Sequence, residues 1–320
     1  MELLQKNDQL LSGYGYQVRI ADFWKFVFQR NEVFMRRFAD RLPAERWYDG
    51  LDLLFKEWKF CNVVPFLDRG TQFILHEIHE DLPDDKLFRI LVYRIFNKME
   101  TFEAIDDLAH IKTWDTKAVL ERISKVPVAW GNAFMMTGFK FAGYEDKTPN
   151  YVFGVLDPIH KNIERIFQGV KRAKSLREIH AIISDLTGYG NFLAYVAIWD
   201  LCYSRVVEHS LDSWAFVGPG ARKAINRILG KKLVSDEQYY RYLTELRFMA
   251  KQSFQDLSLP MRYFDGKELD LACVETSLCE YSKFATIREG SLHARRRHFV
   301  RGDDSEYLLL LRKNMQDYGW

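Results

Sequence analysis

The chain has 320 residues, 48% of them apolar and 15% aromatic, enough to bury one substantial core or two lobes sharing a cleft. Its 46 Lys and Arg face 44 Asp and Glu, a net charge of +2, so overall charge makes no case for a nucleic-acid partner and any basic surface must be local. Residues 1–16 are polar and glycine-containing, and no apolar run approaches the ~20 residues a membrane span needs; no membrane association and a cytoplasmic location are expected.

Apolar residues recur with helical spacing at 20–38, 71–79, 86–105, 115–126 and 151–167, which predicts a mainly α protein. Short polar or Gly/Pro breaks fall at 81–85, 143–150 and 230–235, none long enough to be a flexible linker. Between the first two patterns and within the third, Asn62, Asp68, Arg69, Asn97, Lys98 and Glu100 interrupt apolar surroundings. Buried polar groups are costly unless paired, so these six either form a network between helices or line a cleft. The stretch 129–141, rich in aromatic and small residues, is ambiguous between helix and strand. Cys61, Cys202, Cys273 and Cys279 show no CxxC spacing and sit among apolar residues, which indicates neither a zinc site nor a disulfide framework.

Ser175 can cap a helix through Leu176, Ile179, Ile182 and Ile183. Leu186-Thr187-Gly188-Tyr189-Gly190 then interrupts it, and a helical pattern resumes over 191–206. Two glycines at this spacing permit positive φ and leave the turn's amides, with the following helix N-terminus, open to a phosphate; a plain helix–helix turn is the other reading. A second glycine turn, Phe216-Val217-Gly218-Pro219-Gly220-Ala221-Arg222, leads into 223–229. It holds no carboxylate, and the amides of Gly218, Gly220 and Ala221, with Arg222 and Lys223, suit an anion; a rigid turn starting a helix is again the alternative. Near the end of the chain Arg288, His293, Arg295, Arg296, Arg297, His298 and Arg301 form a basic cluster, either a phosphate-binding surface or a solvated face.

The first turn resembles the helix-hairpin-helix of DNA glycosylases at Leu186, Gly188, Tyr189, Gly190 and Ala194. Further stretches resemble a narrower group: Lys59-Phe60-Cys61-Asn62-Val63 with Leu67-Asp68-Arg69; Phe88-Arg89 with Phe96-Asn97-Lys98-Met99-Glu100-Thr101; and Val274-Glu275 with Leu278-Cys279-Glu280-Tyr281 and Lys283. Taken with the glycine turns, they resemble the thymine-hypermodification proteins of bacterial viruses. That group includes the amino acid:DNA transferases, formerly called α-glutamyl/putrescinyl thymine pyrophosphorylases, and the helical domain joined to 5-hydroxymethyluracil DNA kinases. The likeness runs over roughly residues 59–297. The chain departs from the kinases in having no GxxxxGK[ST] phosphate loop, and from the group's first motif at Cys61 and Pro65.

The resemblance implies a DNA-glycosylase-like helical fold with a helix-hairpin-helix: a single domain over 1–320, with lobes at about 45–130 and 150–235 around a cleft and 236–320 packing on both. The activity it implies is transfer of an amino acid or polyamine onto pyrophosphorylated 5-hydroxymethyluracil in DNA, with pyrophosphate leaving. Such chemistry needs an accessible base, cations and amides where charge grows on the leaving group, and a base to deprotonate the amine. Asp200 is the first candidate base, with Glu100 and Glu275 next; a carboxylate paired with Arg or Lys for stability is the other reading of all three. Asn62, Asp68, Arg69, Asn97, Lys98, Gly218, Gly220, Ala221, Arg222, Lys223, Glu280 and Lys283 are the expected substrate-binding residues. Gly188, Tyr189, Gly190, Asn191, Arg295, Arg296 and Arg297 are the expected DNA contacts, and Tyr189, Phe192 and Trp199 are candidates to stack or wedge, although aromatics at helical spacing more often belong to a core. The resemblance fixes no cofactor; a divalent metal would suit the pyrophosphate. The implied partners are DNA, the amine donor and a 5-hydroxymethyluracil DNA kinase. The competing readings are a modified-base glycosylase and a non-catalytic DNA-binding module.

Overall fold

The computed structural model describes residues 13–131, 141–290 and 305–319. Among these residues the protein is mainly α-helical and contains no strand. Ten helices carry the argument: α1 (Gly13–Phe34), α2 (Arg69–Glu77), α3 (Pro83–Phe96), α4 (Ile163–Arg172), α5 (Leu176–Ser184), α6 (Gly190–Tyr203), α7 (Pro219–Leu229), α8 (Asp236–Asp256), α9 (Leu271–Arg288) and α10 (Ser305–Tyr318). The ambiguous stretch 129–141 falls mostly outside the described residues, as do Arg295, Arg296 and Arg297 with the rest of the basic cluster beyond Arg288.

Serines start two of the helices. Ser175 accepts the Glu178 N–H ahead of α5, and Ser235 and Gln238 form a reciprocal capping box ahead of α8, satisfying amides that a helix start leaves unpaired. Two long apolar patterns are broken where a single helix was expected. The pattern at 86–105 divides at Asn97, which is left-handed (φ 46°, ψ 43°) and returns its N–H to Tyr93 O. Asparagine tolerates this region because its short amide bonds locally, and here its Oδ1 accepts from Arg94 Nη1 at 3.1 Å. The pattern at 151–167 is interrupted by a π-helical turn, Val152–Leu156, and by Asn162 just before α4. Such a turn keeps the apolar stripe buried while inserting a residue, so periodicity does not reveal it.

The chain divides into two compact units. The first comprises the chain through Asp68 together with Ala215–Leu308; the second comprises Arg69–Trp214 and Leu309–Trp320. In the first, α9 lies along α7 and also meets α1 and α8. Its core holds an aromatic cluster in which Phe55 stacks on both Phe26 and Phe284, with Phe60 edge-on to all three. In the second unit, α6 is buried from Leu193 to Leu201 and packs on α5, α3 and α2. A helix apolar on all sides belongs at the centre of its unit. Tyr318 and Asn314 of α10 close this unit, donating to Leu75 O and Gln72 O at 2.8 Å each.

Candidate functional site

In the first unit the segment around Cys61 is held from three directions. Arg30, on α1, donates from Nε to Cys61 O at 2.8 Å and Phe60 O at 3.1 Å, and from Nη2 to Asn62 Oδ1 at 2.5 Å. Asn62 passes the chain of bonds on, donating to Leu67 O at 2.5 Å. From α9, Glu280 Oε2 accepts the Cys61 N–H at 3.0 Å. Lys283 lies 3.5 Å from Glu280, donates to Lys59 O and sits over the Phe60 ring. Burial lowers the Arg30 pKa to about 10 and pushes the Cys61 thiol up, with Glu280 and Asp68 adding negative field at that thiol.

The glycine turn reaches the same helix one turn earlier. Gly218, the N-cap of α7, donates its N–H to Glu275 Oε1 at 3.0 Å. Glu275 is 1% exposed, and burial raises its pKa to about 7 against the opposing pull of the Gly218 bond. A carboxylate poised there takes up or gives a proton near neutral pH. Gly220 faces Cys279: a Cβ on it would lie 2.5 Å from Cys279 Sγ. Its role is therefore the close approach of α7 to α9. Gly220→Ala should destabilise the protein by about 1–3 kcal/mol through overpacking, measured as a lower urea midpoint; an unchanged midpoint would show that Cys279 can turn away.

The second unit gathers the other motifs. Arg94, from α3, grips Asp200 of α6 through Nε–Oδ2 at 2.5 Å and Nη2–Oδ1 at 2.7 Å, and also donates to Thr71 Oγ1 and Asn97 Oδ1. Both side chains of the pair are 0% exposed. Nearby in sequence, Lys98 and Glu100 pair at the surface at 2.8 Å, and that bond lowers the Glu100 pKa. Between α5 and α6, Gly188 has φ +83° and Gly190 φ +62°. A Cβ on Gly188 would meet Val155 Cγ2 at 2.7 Å, whereas nothing lies within 4 Å of one on Gly190. Tyr189 is buried, and its hydroxyl donates to Leu91 O at 2.6 Å. Asn191 is exposed, and its carbonyl accepts from His180 Nε2 at 2.8 Å.

Against this geometry, a model of the 5-hmdU DNA kinase helical domain matches residues 17–294. The chain belongs to that family. No curated protein and no solved structure matches it. As a 5-hmdU DNA kinase helical-domain protein, the chain is related to modification of hydroxymethyluracil in DNA, as the resemblance implied.

Within this helical-domain protein, several residues occupy other roles than those anticipated. Asp200 has both oxygens taken by Arg94, so in this geometry it is a paired structural carboxylate. Tyr189 anchors the turn from inside and offers no wedge. Trp199 is likewise buried, edge-on to Tyr195. Arg222 is engaged by Val217 O at 2.8 Å and Asp236 Oδ1 at 2.7 Å, and Lys223 by Thr286 Oγ1 at 3.1 Å. The anion that the Gly218 amide meets is the protein's own Glu275. Ala221 is fully buried. Asn62 and Asp68 belong to the first unit; Arg69, Asn97, Lys98, Glu100 and Asp200 belong to the second.

Arg30 and Arg94 were not singled out from the sequence, yet each organises a cluster. The signal was present: each is a cation inside an otherwise apolar helical pattern, and Asp200 is the matching anion in another. A metal does have a potential ligand group in Asp81, Asp85 and His110, whose ligand atoms lie within 4.8 Å of one another. Arg89 supplies the positive charge there. Its Nε is 3.0 Å from Asp81 Oδ2, at an angle too poor for a hydrogen bond, and its Nη1 bonds His110 Nε2, while His110 Nδ1 bonds Asp85 Oδ2 at 2.7 Å. A divalent ion would be repelled by this guanidinium, so the group does not fit a metal.

Proposed function

We propose that this chain is a transferase of thymine hypermodification, joining an amino acid or polyamine to pyrophosphorylated 5-hydroxymethyluracil in DNA. The observation that carries the reading is Glu275, a carboxylate with a pKa of about 7 bonded to the glycine turn, in a member of the hydroxymethyluracil kinase helical-domain family. The amine nitrogen attacks the exocyclic methylene carbon, the bond from that carbon to the pyrophosphate oxygen breaks, and pyrophosphate departs with the bonding pair. Glu275 receives the proton the ammonium must lose, for which a proton affinity near neutrality is suited. Substrate capture must open the turn over this buried group. The α5–α6 turn is read as a helix-hairpin-helix in a glycosylase-like fold, with the Gly190 and Asn191 amides on a backbone phosphate and the base extruded for reaction. A 5-hydroxymethyluracil DNA kinase would supply the activated base.

The same carboxylate favours a second reading. The glycine turn has no acid of its own, but α9 brings Glu275 to it, and a carboxylate at such a turn would stabilise positive charge on a sugar losing its base. Mass spectrometry of nucleosides after incubating the protein with pyrophosphorylated hydroxymethyluracil DNA and mixed amino acids separates the readings. Transfer gives an aminoacylated base and free pyrophosphate with no abasic sites. Abasic DNA would establish the glycosylase reading instead, and bound but unchanged DNA a non-catalytic module.

A further inference from the structure

We propose that the corner between α4 and α5 is a DNA-phosphate contact surface, formed by Lys171, Arg172, Lys174 and Arg177; the inference rests on the reading that this chain acts on DNA. All four side chains are exposed, and among the described residues none has a carboxylate partner. Several arginines elsewhere hold carboxylates, as Arg122 does Asp107, Arg227 Glu289, Arg262 Asp40 and Arg288 Asp22; the corner differs in gathering four cations within seven residues. The single acid within the corner, Glu178, is used internally, its Oε2 accepting the Lys174 N–H at 2.8 Å.

Local stability accounts for only half of the set. Lys171 and Arg172 occupy the last turn of α4, where cations complement the helix dipole. Lys174 and Arg177 flank the start of α5, capped by Ser175, where positive charge opposes the dipole. A chain with a net charge of +2 that concentrates unpaired cations against local preference presents a polyanion-binding surface. The corner itself is fixed, because His209 Nε2 donates to Ala173 O at 3.3 Å between the two pairs of cations. The corner and the Gly190 turn lie on the same helix pair, since α5 packs on α6 and His180 of α5 donates to Asn191 O at 2.8 Å.

The test is the salt dependence of duplex binding, read by fluorescence anisotropy between about 50 and 200 mM salt. Wild-type protein is compared with the combined Lys171→Ala, Arg172→Ala, Lys174→Ala and Arg177→Ala variant. The logarithmic slope should become shallower by about 3.6, since each of the four phosphate contacts contributes ~0.9, while the thermal midpoint stays unchanged. An equal slope in wild type and variant would overturn the corner while leaving DNA as a substrate. Wild-type protein that fails to bind duplex would overturn both.

Discussion

Asp200→Asn is expected to lower stability by about 3–5 kcal/mol, because it leaves the Arg94 guanidinium buried without its counter-charge. Arg94 and Asp200 are both 0% exposed, and two further acceptors on Arg94, Thr71 Oγ1 and Asn97 Oδ1, are neutral. Urea midpoints measure the effect. Replacing both charges, as Arg94→Met with Asp200→Leu, should recover most of the loss, since well-packed apolar residues often match a buried ion pair. An Asp200→Asn protein with a wild-type midpoint would contradict the structural role assigned to the pair.

The helical class and most segment positions were legible because amphipathic spacing is a local property. Asp115, for instance, caps its helix by accepting from Lys117 N and Ala118 N, at the edge of a pattern read as starting there. Asn97 and the π turn at Val152–Leu156 were not legible, since both break the hydrogen-bond ladder without breaking the apolar stripe. The polar residues expected in one cleft show a different limit. Their presence in apolar surroundings signalled buried pairing, but the partners lay far away in sequence: Arg94 for Asp200, Arg30 for Asn62, Glu280 for the Cys61 amide. Side-chain type reveals that a charge must be compensated; it does not reveal by whom.

The glycine turns show how one sequence signal serves different physics. Gly188 and Gly190 both have positive φ, yet Gly188 is pressed against Val155 while Gly190 is open. Of the two, only Gly190 has open space on the side where a Cβ would stand. At the second turn no acid stands among residues 216–222, yet α9 brings the Glu275 carboxylate to it across a separation of 57 residues. Composition of a turn therefore says little about the charge it meets.

Glu275→Gln should separate stability from activity in opposite directions. The folded state raises the Glu275 pKa from 4.5 to about 7, so it binds a proton that the unfolded chain has released over that interval. The stabilising contribution is complete below about pH 4.5 and is lost as pH rises through about 7, a difference of ~3 kcal/mol. Glutamine keeps the shape and a carbonyl to accept the Gly218 N–H but never ionises. Near pH 8 the variant should therefore be the more stable protein by up to ~3 kcal/mol, and near pH 4 the two should agree. Under the proposed transfer mechanism, amine transfer should meanwhile fall by about 10²–10⁴-fold, the usual scale of a lost general base. Stability gained at the expense of function is the pattern of a carboxylate kept for chemistry. Denaturant midpoints across pH and pyrophosphate release at neutral pH measure the two effects. A variant with full transfer activity would remove Glu275 from the mechanism, and parallel pH–stability curves would show that its proton is not bound in the folded state.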